Sequence, residues 1–111
     1  MITEQRRFPR IPSENTVLVK SAGEGAEEGF ARTTVMGLGG CSFVTDTPLQ
    51  PEERVEVYIA VRGKVVVALG RVVWTAERPD GRREAGIEFL EITDEDRQVV
   101  EDLFKPVEEP V

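Results

Sequence analysis

From Arg54 to Val61 apolar and polar side chains alternate without a break. Val55, Val57, Ile59 and Val61 fall on one face, and Arg54, Glu56, Tyr58 and Ala60 on the other. Successive side chains point to opposite faces only in an extended strand, so this period of two describes a half-buried antiparallel strand and excludes a helix. Arg62-Gly63-Lys64 reads as a tight hairpin turn after it. Val65 to Ala76 is then a long apolar run interrupted by Gly70 and Arg71. An interior glycine in a strand predicts a bulge or bend. A strand of this length, bent at Gly70, can serve both sides of a barrel.

The rest of the chain is read around this hairpin. Thr16–Ser21, Phe30–Met36, Cys41–Thr45 and Ala85–Leu90 are β-branched or alternating runs and are predicted as strands. In the second of these, Phe30, Arg32 and Thr34 are expected on one face, and Ala31, Thr33 and Val35 on the other. Gly23–Gly29, Asp46-Thr47-Pro48, Pro51-Glu52-Glu53 and Glu77–Gly81 are loops and turns by composition. Trp74, near the end of an apolar strand, is expected in the core or barrel mouth in preference to a stacking position.

Thr93 is a good N-cap, with Asp94, Glu95 and Asp96 in the first turn, where the helix dipole favours acids. Val99, Val100, Leu103 and Phe104 form one apolar stripe, and Pro106 stops the helix. The predicted fold is mainly all-β: a small antiparallel six- to seven-stranded β-barrel with one C-terminal α-helix. The expected organisation is a flexible arginine-bearing arm over 1–15, the barrel with its helix over 16–104, and a disordered tail over 105–111.

Composition removes several function classes. The 111 residues carry a formal net charge of −7 and no histidine. Phosphate neutralisation dominates general nucleic-acid binding, so a nucleic-acid partner is not expected. Without histidine there are no His-ligated metal sites, Ser-His-Asp triads or imidazole acid/base chemistry. No catalytic constellation stands out, so the chain is read as a non-enzyme without a cofactor. Cys41 is the only cysteine and is expected to be small, buried filling. No apolar run approaches the roughly 18 residues of a membrane span, so membrane insertion is not expected and a cytoplasmic location is.

Charge distribution says more than the total. Residues 1–12 hold Arg6, Arg7 and Arg10 against Glu4, while residues 91–111 carry eight acids and two bases. A basic stretch on an acidic body suits one small anionic ligand. Pro9 and Pro12 keep this stretch extended or turn-like, with Phe8 and Ile11 pinning it to the body. Arginine forks grip phosphates bidentately and reach guanine edges, which lysine does poorly. A second element is the turn Val35–Cys41, where Gly37, Gly39 and Gly40 let backbone N–H groups approach an anion.

Four features in order resemble the PilZ domain, a bacterial cyclic di-GMP receptor module. Arg6-Arg7-Phe8-Pro9-Arg10 resembles its RxxxR motif through Arg6 and Arg10. Val35 to Gly40 stands where the family has D/N-x-S-x-x-G. Arg71-Val72-Val73-Trp74 resembles its strand ending in Val-Trp, and Gly86-Ile87-Glu88-Phe89 its late G-hydrophobic-x-F strand. The resemblance covers roughly residues 5–104. It implies a cyclic di-GMP-binding sensor or adaptor domain of second-messenger signalling, with the ligand held by Arg6, Arg7, Arg10, Gly37, Gly39 and Gly40 and an unidentified effector protein downstream. The second motif is degenerate: Val35 replaces the acid or amide and Gly37 the serine, and only Gly40 matches. The alternative is therefore a PilZ-like domain that binds no nucleotide and acts in protein–protein interaction.

Overall fold

The structure, a computed structural model, describes residues 10–21 and 28–105. Seven strands and one helix follow in order: β1 (Arg10–Pro12), β2 (Thr16–Ser21), β3 (Glu28–Gly37), β4 (Gly40–Thr45), β5 (Arg54–Val61), β6 (Lys64–Glu77), β7 (Arg83–Ile92) and α1 (Asp94–Asp102). All pairings are antiparallel. The order β3-β2-β5-β6-β7-β4 closes on itself through β3–β4, and β1 adds to β3 outside this ring. The result is a closed six-stranded barrel with one extra strand and one C-terminal helix, which removes the long exposed edges an open sheet would leave.

The alternation in β5 has the expected consequence: Val55, Val57, Ile59 and Val61 are all fully buried. They meet Val17 and Val19 of β2, Val66, Ala68 and Val72 of β6, and Phe43 of β4 in one core. Full burial of each such side chain stabilises the fold by roughly 1.5–3 kcal/mol relative to exposure. The β5–β6 connection is the two-residue turn Arg62–Gly63, both residues with positive φ (49° and 79°), which matches the strands' own twist. The β6–β7 register shifts between Leu69 and Gly70, beside the glycine where an irregularity is expected, but the extra residue is Leu90 of β7.

β3 departs from the predicted faces. Ala31 and Thr33 point inward, but the register with β4 shifts between Thr33 and Val35. The bulge inserts one residue, so Met36 enters the core and Val35 stays outside it. The bulge also leaves backbone groups to be satisfied. Ser13 N donates to Thr34 O (3.0 Å), and Thr33 N donates to Asn15 O (2.9 Å). The buried Thr33 hydroxyl accepts from Asn15 N (2.7 Å) and pairs with Ser13 Oγ (2.6 Å).

Residues 10–15, read from sequence as part of a flexible arm, are therefore tied down. Arg10–Pro12 pair with β3, and the Ser13–Asn15 corner closes around Thr33 because a buried donor or acceptor without a partner is costly. Ile11 packs against the core as expected. Arg6, Arg7 and Phe8 lie outside the described residues, as do residues 22–27 and 106–111, where a loop and a tail are expected from sequence.

The helix starts as predicted: Thr93 Oγ1 accepts from Asp96 N at 3.1 Å. Asp96 has a second task. β6 runs past the last β6–β7 pair, Ala68↔Ile92, and there Val67 N donates to Asp96 Oδ2 (3.1 Å). Val100 is buried, and Val99, Leu103 and Phe104 pack beside it against the core. Among the described residues no helix is long and apolar enough to cross a membrane.

Candidate functional site

The Gly-rich stretch is shorter as a turn than its sequence suggested. Val35–Gly37 belong to β3 and Gly40 to β4, leaving Leu38–Gly39 as the connection. Gly37 lies opposite Arg10 in the β1–β3 ladder. This register carries the last arginine of the Arg6–Arg10 stretch to the glycine turn.

From there one row of paired positions crosses the outer barrel wall. Val35 faces Ser42, Ser42 faces Gly86, and Gly86 faces Trp74. Gly86 is the floor of this row. A Cβ there would collide with Nε1, Cε2 and Cδ1 of Trp74, so glycine lets the indole edge sit on the β7 backbone. Trp74 is 42% exposed on this outer wall, whereas the sequence favoured the core or barrel mouth. The reason is a second β6–β7 register shift, between Val72 and Trp74, which turns the ring outward.

These residues enclose a cavity of about 460 Å³. Arg10, Val35, Gly37, Gly39 and Gly40 line one side, Val73 and Trp74 the other, and Ser42, Glu84, Gly86 and Glu88 lie between them. The four described residues expected at the site from sequence (Arg10, Gly37, Gly39, Gly40) thus come together. Trp74, Ser42, Glu84, Gly86 and Glu88 were not anticipated there. Their signal was present only as outward-facing alternate positions on β4, β6 and β7, which have no address until strand order and register are known.

Both carboxylates at the cavity are held by arginines of the same face. Glu84 Oε1 accepts from Arg78 Nη1 (3.2 Å), and its Oε2 accepts from the Thr34 hydroxyl (2.7 Å). Thr34 is also 2.7 Å from Ser42 Oγ. Glu88 accepts from Arg71 Nη2 (3.1 Å), and Arg71 Nη1 reaches both oxygens of Glu52 (2.6 and 2.8 Å). Hydrogen bonds to Glu52 first, then Glu88, hold the Arg71 guanidinium more firmly protonated. Cys41 also borders the cavity, but burial pushes its thiol up to about 12, so it is no nucleophile at neutral pH.

Gly40 has a packing role of its own. A Cβ at that position would run into the carbonyl oxygen of Ile87, and Phe89 N donates to Gly39 O (2.8 Å). The glycine turn is thereby clamped to β7. Among the described residues no group of three or more His, Cys, Asp or Glu is placed to hold a metal ion.

A larger and more open cavity, about 760 Å³, lies beside the Pro12–Glu14 corner and the β6–β7 turn. Two of its arginines are already committed: Arg78 to Glu84, and Arg82 to Asp46 at 3.2 Å. The smaller cavity has the sharper chemistry, with a guanidinium on one side, an aromatic surface on the other and hydrogen-bonding groups between. Such an arrangement suits a ligand carrying both an anion and a flat heterocycle.

Comparisons with known proteins agree with this fold. The chain is similar in fold to the Bacillus subtilis inhibitor of motility MotI/DgrA (TM-score 0.77, 18% identity, 91% of this chain and 49% of that one). It is also similar to the PilZ domain of Escherichia coli YcgR, solved with c-di-GMP (TM-score 0.72, 15% identity, 90% and 88%). A third similar structure is the K. pneumonia MrkH–c-di-GMP complex (TM-score 0.73, 16% identity, 93% and 52%). The chain spans about half the length of MotI/DgrA and MrkH. No curated protein sequence matches it. The sequence profile of the PilZ domain matches residues 4–105. With nearly its whole length matched and the barrel in place, the chain belongs to the PilZ domain family.

Proposed function

We propose that this domain is a cyclic di-GMP receptor that passes ligand occupancy to an effector protein, without turnover. The observation that carries the reading is the Arg10–Gly37 register, by which Arg10, the last arginine of the RxxxR stretch, and the glycine turn line one cavity together with an exposed Trp74. A guanidinium bonds phosphate oxygens or guanine O6 and N7, and an indole surface stacks on a base. Chain connectivity keeps Arg6 and Arg7 within roughly 14 Å of Arg10, close enough to close over a ligand held there. YcgR and MrkH, whose folds are similar, have been solved with c-di-GMP. Isothermal titration with cyclic di-GMP tests the reading. Saturable binding with quenching of Trp74 fluorescence is expected. Arg10→Ala should weaken it roughly ten- to a hundredfold, the range for a hydrogen bond to a charged group. No heat at high micromolar ligand overturns the proposal.

A second reading rests on Val35 and Gly37, which supply neither the acid or amide nor the hydroxyl of the family motif. On that reading the domain binds no nucleotide and serves only as a protein–protein adaptor. The double variant Val35→Asp/Gly37→Ser separates the two. If the wild type binds and the variant binds roughly tenfold or more tightly, the receptor reading stands; two neutral hydrogen bonds restored correspond to about that factor. If only the variant binds, the wild type is an adaptor.

A further inference from the structure

We propose that Glu84 reads the guanine base, taking over the acceptor role that Val35 cannot fill. The inference rests on the receptor reading above and names its specificity-determining side chain.

Three observations carry it. First, Glu84 lines the same cavity as Val35, and it reaches the bulge from the neighbouring side of the barrel wall: Val44 of β4 pairs with Glu84 of β7. Its carboxylate touches Thr34, the residue adjacent to Val35. Secondly, the carboxylate is fixed before any ligand arrives. Arg78 holds Oε1 at 3.2 Å, Thr34 holds Oε2 at 2.7 Å, and the side chain is 23% exposed. A carboxylate has about four lone-pair sites, so each oxygen keeps one acceptor direction after these contacts. Thirdly, Glu84 is two residues from Gly86 on the outward face of β7, beside the indole that sits on that glycine. A base stacked on Trp74 would present its edge along this strand.

The chemistry is selective. The Watson–Crick edge of guanine carries two adjacent donors, N1–H and N2–H, which match the two oxygens of a carboxylate. Adenine offers an N1 acceptor at that edge, which a carboxylate repels. Enzymes and receptors that hold an unstacked base read it by hydrogen bonds along this edge. Glu88 also borders the cavity, but it is the more exposed of the two (47%) and is turned toward Arg71. Thr34 is a positioning residue here: it orients Glu84 and does not itself face the base.

The test titrates wild type, Glu84→Gln and Thr34→Val with cyclic di-GMP and with cyclic di-AMP by calorimetry. Wild type should prefer cyclic di-GMP. Glu84→Gln keeps the size and one acceptor oxygen but loses the charge. It should weaken cyclic di-GMP at least roughly tenfold while leaving cyclic di-AMP unweakened, so the preference collapses. Thr34→Val, which leaves the carboxylate but frees its rotamer, should shift the preference the same way by less. Equal preference in wild type and both variants overturns the Glu84 assignment and leaves the receptor reading standing. Wild type that binds both dinucleotides alike also overturns the assignment. Wild type that binds neither overturns both proposals.

Discussion

Two hairpins of this barrel, β5–β6 and β3–β4, are each joined by two residues, and each depends on glycine for a different reason. At Arg62–Gly63 the requirement is local. Both residues have positive φ, and a Cβ on Gly63 would meet nothing within 4 Å. The glycine supplies backbone freedom and no space. At Leu38–Gly39 neither residue has positive φ. The glycine that matters there is Gly40, which must let the Ile87 carbonyl oxygen approach. One glycine is explained by its own turn, the other by a strand that arrives much later in the chain. A Gly-rich run is therefore ambiguous by itself: a sharp turn, an anion cradle and close strand packing all ask for the same residue.

The contrast can be broken by substitution. Gly40→Ala drives a methyl group into β7 backbone, which cannot swing aside, and should lower unfolding stability by about 3 kcal/mol in a urea titration. Gly86→Ala meets a side chain, Trp74, that is partly exposed and can rotate away. It should cost about 2 kcal/mol or less, with a shift of tryptophan emission as the ring leaves the cavity wall. Gly63→Ala has space but the wrong φ, and should cost about 1 kcal/mol. A Gly63→Ala loss equal to that of Gly40→Ala would erase the distinction between the two hairpins.

The smallest effect sharpens the inner side of the β3–β4 hairpin. Burial raises the Cys41 thiol from its reference value of 9.0 to about 12. The folded state therefore holds this proton after the unfolded chain has released it. The resulting contribution to stability is complete below about pH 9 and is lost as pH rises toward the folded value. At pH 9.5 the loss is under about 1 kcal/mol, and Cys41→Ala should abolish this component of the pH slope. A wild type whose alkaline slope is unchanged by that substitution would place the thiol outside the core.

Much of the barrel was legible from residues alone, because burial on one face writes itself into a strand with period two. The β5 alternation, the Arg62–Gly63 turn and the Thr93-capped helix all follow from local rules. The failures have one physical source. A bulge changes which face a side chain occupies without leaving a mark in composition. The shift at Thr34 sent Met36 inward and kept Val35 at the cavity, and the shift before Trp74 turned outward a residue expected in the core or barrel mouth. The Ser13–Asn15 corner was likewise invisible, since its partners are backbone groups that the bulge released.

The candidate site divides in the same way. The strand-forming runs, the arginine-bearing stretch at residues 6–10, the glycine positions at 37, 39 and 40, and the lack of imidazole chemistry can all be read from the residues alone. These depend on residue type and short-range order. It takes the folded barrel to set Arg10 opposite Gly37, to rest Trp74 on Gly86, and to bring Glu84 beside the position where Val35 offers no acceptor. Those neighbours come from different strands, and a closed barrel sets their distances through register. Register is a property of all the pairings at once, so no local stretch of the chain contains it.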